Sequence, residues 1–211
     1  MANSIDREEY SAARVKALES LLIEKGIITA QTVDKVIAFF EKDMGPFNGA
    51  KIVAKAWVDP QFKARLLADT PAAIADMHFP RGMAGAEGEN MRAVANTSQV
   101  HNLIVCTMCS CYPWPVLGLP PYWFKDPTFR ARAIREPRKV LKEFGLDIPE
   151  SVEVKVWDTS AQIRWFVLPE RPEGTEGWTE TQLAAIVTPE SMQGAAKVVV
   201  PAETKTQGES E

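Results

Sequence analysis

The chain has 211 residues, enough for one large or two small domains with a buried core. Hydrophobic residues make up 45% and charged residues 25%, and no apolar run approaches the roughly 20 residues that a transmembrane helix requires. The formal net charge of -4 argues against a nucleic-acid partner, because such binding calls for a clustered basic surface. The N-terminus M-A-N-S-I-D-R-E-E-Y has neither the basic nor the apolar region of a secretory signal. We therefore expect a globular cytoplasmic protein with no membrane span.

The first two predicted helices occupy the N-terminal part of the chain. Apolar residues recur at helical spacing within residues 5–25, and Gly26 follows as a C-terminal stop. Thr29 is predicted to cap a second helix, which Gly45-Pro46 closes.

Two more helices are predicted to complete this helical region. One follows Asn48, and another starts at Asp59-Pro60, where aspartate suits the N-cap and proline the first helical position. We therefore predict an N-terminal helical arm over residues 1–75, a globular domain over residues 76–200 and a solvated polar tail over residues 201–211.

The middle of the chain combines an irregular segment, a strand and a proline-rich loop. Glycine and proline punctuate F-P-R-G-M-A-G-A-E-G-E-N, which is a candidate domain boundary. H-N-L-I-V-C reads as a short apolar strand that runs directly into a cysteine-rich loop, residues 105–115. Prolines at 113, 115, 120 and 121 then predict a stiff, non-repetitive stretch.

The remaining elements are helices and a hairpin. Helices are predicted to start at Asp126-Pro127 and Glu136-Pro137. S-V-E-V-K-V-W-D alternates apolar and polar residues, so it is predicted to pair with A-Q-I-R-W-F-V-L-P as a hairpin across Asp158-Thr159-Ser160. Thr179 and Gln182 predict a capping box for a further helix.

The only cysteines of the chain, Cys106, Cys109 and Cys111, lie within six consecutive positions. An odd number cannot all pair in disulfides within one chain, and cytoplasmic conditions disfavour disulfides. Structural zinc sites and iron–sulfur clusters need four ligands, and no second cysteine pair exists. A thioredoxin-like dithiol begins a helix, whereas prolines follow here and the third thiol has no role.

The loop V-C-T-M-C-S-C-Y offers five donors by itself, namely three sulfurs and the main-chain nitrogens of Ser110 and Cys111. Deprotonated amide nitrogen calls for a strongly Lewis-acidic ion, and thiolates add covalency, which together favour trivalent iron or cobalt over zinc. A sixth position would stay open for a substrate or a water.

Residues 105–121, V-C-T-M-C-S-C-Y-P-W-P-V-L-G-L-P-P, resemble the metal-binding signature of the nitrile hydratase alpha subunit. The resemblance extends through G-A-K-I-V-A-K-A-W, E-P-R-K-V-L-K-E-F-G, V-K-V-W-D-T-S and P-E-G-T-E-G-W, so it covers nearly the whole chain except its ends. It implies an α+β fold in which the N-terminal helical arm precedes a layered α-β-β-α globular domain that carries the metal loop.

The resemblance also implies a site. Cys106 would remain a thiolate, Cys109 would become a sulfinate, Cys111 a sulfenate, and Ser110 would supply its amide nitrogen. Trp114 would form a wall of the substrate pocket. The residues Thr107 and Tyr112 resemble the cobalt type of the family, which implies one Co(III) per chain with Fe(III) as the alternative.

The implied reaction is hydration of a nitrile, R-C≡N, to the amide R-CO-NH2. The metal would polarise the nitrile, and the nucleophile would be the oxygen of oxidised Cys111 or a water that it activates. The family completes the site with arginines from a separate beta subunit, so the alpha chain alone should be inactive. An α2β2 heterotetramer and an activator or metallochaperone protein for maturation are further implied.

One position departs from the family pattern. Where the family usually reads G-L-Q-G-E, this chain has G-A-E-G-E, so Glu87 is either a solvent-facing residue or a change in the substrate pocket. His78 and His101 are predicted to be structural. The related thiocyanate hydrolase subunit shares the cysteine loop but typically has a basic residue after C-Y-P, and a non-catalytic metal or thiol module is the other alternative.

Overall fold

The structure is a computed structural model that describes residues 3–42, 44–79, 90–106 and 112–201. The chain divides into two compact units, Met1–Lys42 and Asp43–Glu211. Among the residues that the structure describes, no helix is long and apolar enough to cross a membrane.

The first unit contains helices α1, Asn3–Glu24, and α2, Ala30–Lys42. Gly26 turns the chain between them with φ of 68°, as predicted, and Thr29 Oγ1 accepts a hydrogen bond from the Thr32 amide at 3.1 Å. Large apolar side chains of this unit are exposed, namely Tyr10, Val15, Leu18, Leu21, Leu22, Ile27, Val36 and Ile37. No side chain among residues 9–39 of this unit is buried.

The second unit mixes helices with short strands. Its helices are α3 Pro46–Val58, α4 Pro60–Ala68, α5 Thr70–Ala75, α6 Trp114–Leu117, α7 Pro127–Arg135, α8 Pro137–Glu143, α9 Glu180–Ile186 and α10 Pro189–Gln193, with a 3₁₀ turn at Tyr122–Lys125. Its strands are β1 Met91–Ala95, β2 Val100–Val105, β3 Glu153–Asp158 and β4 Arg164–Leu168. This content confirms the predicted α+β class.

The strands form two separate parallel pairs. β1 pairs with β4, from Met91 opposite Arg164 to Ala95 opposite Leu168. β2 pairs with β3, from Val100 opposite Glu153 to Val105 opposite Asp158. The predicted hairpin between residues 151–158 and 161–169 is therefore wrong. The alternation of side chains identified both strands correctly, but the turn after Asp158 carries the chain from one sheet to the other.

The two sheets and the helices build successive layers. One core cluster lies between β2–β3 and the pair α7–α8, and it includes Leu103, Val105, Phe129 and Val140. The larger cluster takes the opposite face of β2 together with β4, α3 and α4. Trp157 of β3 stacks against Trp165 of β4 with ring centroids 4.4 Å apart, so the sheets face each other.

Helices α3 to α5 belong to the core of the second unit. Ile52, Val53 and Phe62 are buried in the same cluster as Phe166 of β4. The division of the structure therefore lies between Lys42 and Asp43, whereas the sequence placed the end of the arm at residue 75. The sequence did not assign α3 and α4 to the core because other members of their cluster, such as Phe166, lie a hundred residues further along the chain.

Local signals for helix starts correspond closely to the structure. Asp59 and Asp126 accept hydrogen bonds from the amides of Phe62 and Thr128, each at 2.8 Å, and both precede a proline at the first helical position. Thr179 and Gln182 form the predicted capping box. The proline-rich stretch is not wholly irregular, however. Helix α6 tolerates Pro115 because a proline in the first helical turn removes no helical hydrogen bond.

Candidate metal centre

Strand β2 ends directly before Cys106, which belongs to the larger core cluster. All its residues from His101 onward are buried, and Cys106, which follows directly, is only 2% exposed. Of the predicted site residues, the structure places Cys106 and Trp114. Cys109, Ser110, Cys111 and Glu87 lie outside the described residues, as does Thr107. The geometry therefore concerns the two flanks of the cysteine loop, residues 107–111.

The upstream flank is Cys106 with its neighbour on β3. The Thr159 amide donates to the carbonyl oxygen of Val105 at 2.9 Å, which continues the parallel ladder one residue past Asp158. Thr159 thus lies opposite Cys106. Its side-chain oxygen is buried, and within the part of the chain that the structure describes no group forms a hydrogen bond with it. The hairpin prediction treated Thr159 as a turn residue, so sequence reasoning missed this neighbour.

An ion pair lies close to this flank. Arg130 of α7 donates from both Nε and Nη2 to the carboxylate of Asp158, the last residue of β3. The hydrogen bond to Asp158 raises the pKa of Arg130, and the charge of Asp158 adds to that rise. The guanidinium is thus held at the end of β3. Both side chains of the pair are more than a third exposed, so solvent screens the interaction.

The downstream flank begins with a buried tyrosine. Tyr112 is 1% exposed, its hydroxyl accepts a hydrogen bond from Gln193 Nε2 of α10, and its ring meets Phe124 edge-on at 4.8 Å. Burial raises the pKa of the Tyr112 phenol well above its ordinary value, so the phenol stays neutral. The residue directly after Cys111 is therefore fixed by contacts from two other elements.

Helix α6 continues this flank and is anchored on α3. The carbonyl oxygen of Pro115 accepts from the Asn48 side-chain amide at 3.2 Å and from the Gly45 amide at 3.3 Å. A Cβ on Gly49 would lie 2.2 Å from the Val116 carbonyl oxygen and 2.6 Å from Met192 Sδ. Only glycine allows α3 and α6 to approach this closely. Trp114, at the start of α6, is half-buried beside the core.

The two histidines have no place among these contacts. His101 Nε2 lies 2.8 Å from the Gly194 carbonyl oxygen, and desolvation lowers the pKa of this buried ring. His78 ends the α5 region with φ of 49°.

The described residues include one predicted metal ligand, and its donor atom is a soft sulfur. Cys106 is a buried sulfur at the edge of the loop, and the orphaned Thr159 hydroxyl beside it has unused hydrogen-bonding capacity. Among the described residues no group of three His, Cys, Asp or Glu side chains could hold a metal ion elsewhere. The other predicted ligands belong to the loop itself. A metal that prefers thiolate ligands, bound next to Cys106, would thus fit the sulfur and the hydroxyl described here.

Comparison with known proteins identifies the family. The family model described as nitrile hydratase, alpha chain, matches residues 9–196. The chain belongs to the nitrile hydratase alpha-chain family. It is 56% identical to the cobalt-containing nitrile hydratase subunit alpha of Pseudonocardia thermophila, over 86% of this chain and 88% of that protein.

Two further proteins are similar to this chain at lower sequence identity. An Fe-type nitrile hydratase from Comamonas testosteroni Ni1, solved as a double mutant, has a similar fold with a TM-score of 0.78 and 42% identity over 92% of this chain and 95% of that one. The thiocyanate hydrolase subunit gamma of Thiobacillus thioparus is 40% identical over 85% of this chain and 76% of that protein. The fold thus belongs to the nitrile hydratase alpha chain.

Proposed function

We propose that this chain is the metal-bearing subunit of a nitrile hydratase, which adds water across R-C≡N to give R-CO-NH2. The observation that supports this most is the buried Cys106 at the end of β2, entering the C-T-M-C-S-C loop of a chain in this family. The donor set is Cys106, Cys109 and Cys111 with the main-chain nitrogens of Ser110 and Cys111. A metal held there supplies Lewis acidity toward the nitrile nitrogen.

The loop cysteines differ in their proposed roles. Cys106 stays a thiolate, Cys109 is a sulfinate, and Cys111 is a sulfenate whose oxygen attacks the nitrile carbon or activates a water. Trp114, half-buried at the start of α6, forms a wall of the substrate pocket, and Glu87 borders that pocket. The Cys109 and Cys111 oxidations predict added oxygen mass confined to the peptide that contains residues 106–111. Three unmodified thiols with loosely bound zinc in active material would instead favour a non-catalytic metal module.

The role of Cys111 leads to a direct test. We expect Cys111→Ala to reduce amide formation to background while the chain stays folded, because the substitution removes the sulfenate oxygen. Amide formation from a small nitrile is measured by chromatography, and folding by circular dichroism. Turnover that persists in a folded variant would remove Cys111 from the mechanism.

We propose Co(III), one per chain, as the metal. The cobalt-containing relative shares 56% identity, against 42% for the Fe-type structure, and Thr107 and Tyr112 follow the cobalt pattern. Elemental analysis of the purified complex distinguishes the two: one cobalt per alpha chain is expected, and iron in equal amount from active material would reverse the assignment.

We propose a beta subunit as partner, in an α2β2 heterotetramer, with an activator or metallochaperone protein for maturation. The exposed apolar side chains of α1 and α2, from Tyr10 to Ile37, support a partner chain over this unit because few monomeric proteins expose so many together. Co-production with a beta subunit should give an active complex, whose mass is measured by light scattering. A fully active monomer would contradict this part. The cytoplasmic location remains a prediction.

Thiocyanate hydrolase is the alternative activity. The lower identity of 40% and the sequence W-P-V-L-G-L-P-P from Trp114, with no basic residue after C-Y-P, favour the nitrile enzyme. Parallel assays separate them. Amide formation from a nitrile is expected, whereas carbonyl sulfide and ammonia from thiocyanate without any amide product would establish the alternative.

A further inference from the structure

A buried hydroxyl without a hydrogen-bond partner lies beside the proposed site. Thr159 is 4% exposed, and its Oγ1 makes no hydrogen bond to any described group. Burying such an oxygen is unfavourable, and a valine of the same shape would avoid the penalty. The stability of the metal-free chain therefore gives no reason for a hydroxyl at this position.

The register of β2 and β3 defines what Thr159 faces. Val105 pairs with Asp158, and the Thr159 amide bonds to the Val105 carbonyl oxygen at 2.9 Å, so the next opposed pair is Cys106 and Thr159. Adjacent strands run about 4.8 Å apart, and opposed side chains share a face of the sheet. Thr159 and Cys106 thus stand next to each other.

The alternation along β2 identifies that face. Leu103 and Val105 pack toward α7 and α8, whereas Ile104 and Cys106 join the larger core cluster on the other side. Trp157, two residues before Thr159, also packs against the larger cluster. Asp158 turns the other way, toward Arg130. The hydroxyl and the sulfur therefore project into the same region, and the ion pair lies on the opposite face.

We infer that the Thr159 hydroxyl is a positioning group for the metal, which donates a hydrogen bond to the Cys106 sulfur when that sulfur is a metal-bound thiolate. The inference rests on the proposed function. A neutral thiol is a weak acceptor, whereas a thiolate accepts strongly, so the hydroxyl gains its partner only in the metallated protein. Such outer-shell bonds orient a ligand and raise metal retention.

The test compares Thr159→Val, which removes the hydroxyl but keeps the shape, with Thr159→Ser, which keeps the hydroxyl. Each is produced with the beta subunit and loaded with cobalt. The first measurement is the sulfur-to-metal charge-transfer absorption. Loss of a donor raises the energy of the sulfur electrons, so the band of Thr159→Val should move to longer wavelength, and that of Thr159→Ser should stay at the wild-type position.

The second measurement is the cobalt concentration that half-loads the complex during production. Thr159→Val should need about 10-fold more cobalt than the wild type, at the lower end of the range for the effect of outer-shell substitutions on metal affinity, and Thr159→Ser should match the wild type. The third is the thermal unfolding of the metal-free chain. There Thr159→Val should be as stable as the wild type or more so, because an unpaired buried oxygen has gone.

The outcomes separate the two proposals. An unchanged band and an unchanged half-loading cobalt concentration in Thr159→Val, or equal changes in Thr159→Val and Thr159→Ser, would overturn the positioning role. If Thr159→Val does not accumulate, Thr159→Ala takes its place in the same comparison with Thr159→Ser, and the same two results decide. A wild-type complex that neither binds cobalt nor shows the band would instead refute the proposed function.

Discussion

The two flanks of the cysteine loop are built differently. Downstream, Tyr112 and α6 are held by a side-chain amide, an aromatic contact and the close approach of α3. Upstream, Cys106 lies beside a buried hydroxyl that lacks a partner. The downstream flank also contains a buried oxygen without a partner, Gln193 Oε1, but Gln193 already holds Tyr112 through its Nε2, whereas the Thr159 hydroxyl makes no hydrogen bond to any described group. Substitutions on the two sides should therefore separate metal binding from stability.

Cys106→Ala gives the largest expected effect on metal binding. Removing this proposed ligand should leave the complex with little cobalt and amide formation at background, because a sulfur donor is lost. The stability of the metal-free chain should fall by only about 1 kcal/mol, the typical cost of a small core truncation. Metal content by elemental analysis and denaturant unfolding check the two statements. Normal cobalt content would show that Cys106 is not a ligand.

Gly49→Ala gives the largest expected effect on stability. The added methyl would lie 2.2 Å from the Val116 carbonyl oxygen, so α6 must move away from α3, at a cost of about 3 kcal/mol. Gly174→Ala is the control, since its Cβ meets no atom within 4 Å and only its φ of 77° opposes the change, at about 1 kcal/mol. Equal losses in both variants would mean that α3 and α6 do not need to touch.

Tyr112→Phe should have an intermediate effect. It removes the hydroxyl that accepts from Gln193 and leaves that buried amide unpaired, which costs about 2 kcal/mol. Gln193→Leu in the same chain removes the unpaired amide as well. The double variant should therefore recover part of the loss in urea unfolding, whereas strictly additive losses would show that the two side chains do not interact.

Asp158→Asn should have the smallest effect. Its pair with Arg130 is more than a third exposed on both sides, so removing it should cost at most about 1 kcal/mol, and less in 1 M salt. Unfolding at low and high salt measures this. A loss that does not change with salt would mean that the ion pair is not what the substitution removes.

Sequence alone predicted those features whose signals lie close together in the chain. The caps at Asp59, Asp126 and Thr179 depend on residues two or three positions away, and the cysteine loop is a local cluster. The fold class followed from the resemblance. What failed was the pairing of strands, because alternation identifies a strand but not its partner, and the two partners of β3 and β4 lie far upstream.

The same distinction applies to the site. Cys106 and Trp114 were predicted because the motif names them, and the structure places both beside the core. Thr159 and Gln193 were not predicted, since each reaches the loop through a contact between distant parts of the chain. To predict that Thr159 lies opposite Cys106, one must know that β2 pairs with β3. The periodicity of the sequence does not give that pairing.

The parallel pairing of β2 with β3 also sets an order of events during synthesis. Cys106 leaves the ribosome long before residues 153–159, which form its only β-strand neighbour among the described residues. Contacts between such distant segments form slowly. The thiols are therefore exposed on the nascent chain, and their native surroundings first exist when most of the polypeptide has been translated. Insertion of the proposed cobalt into a finished site would consequently follow translation.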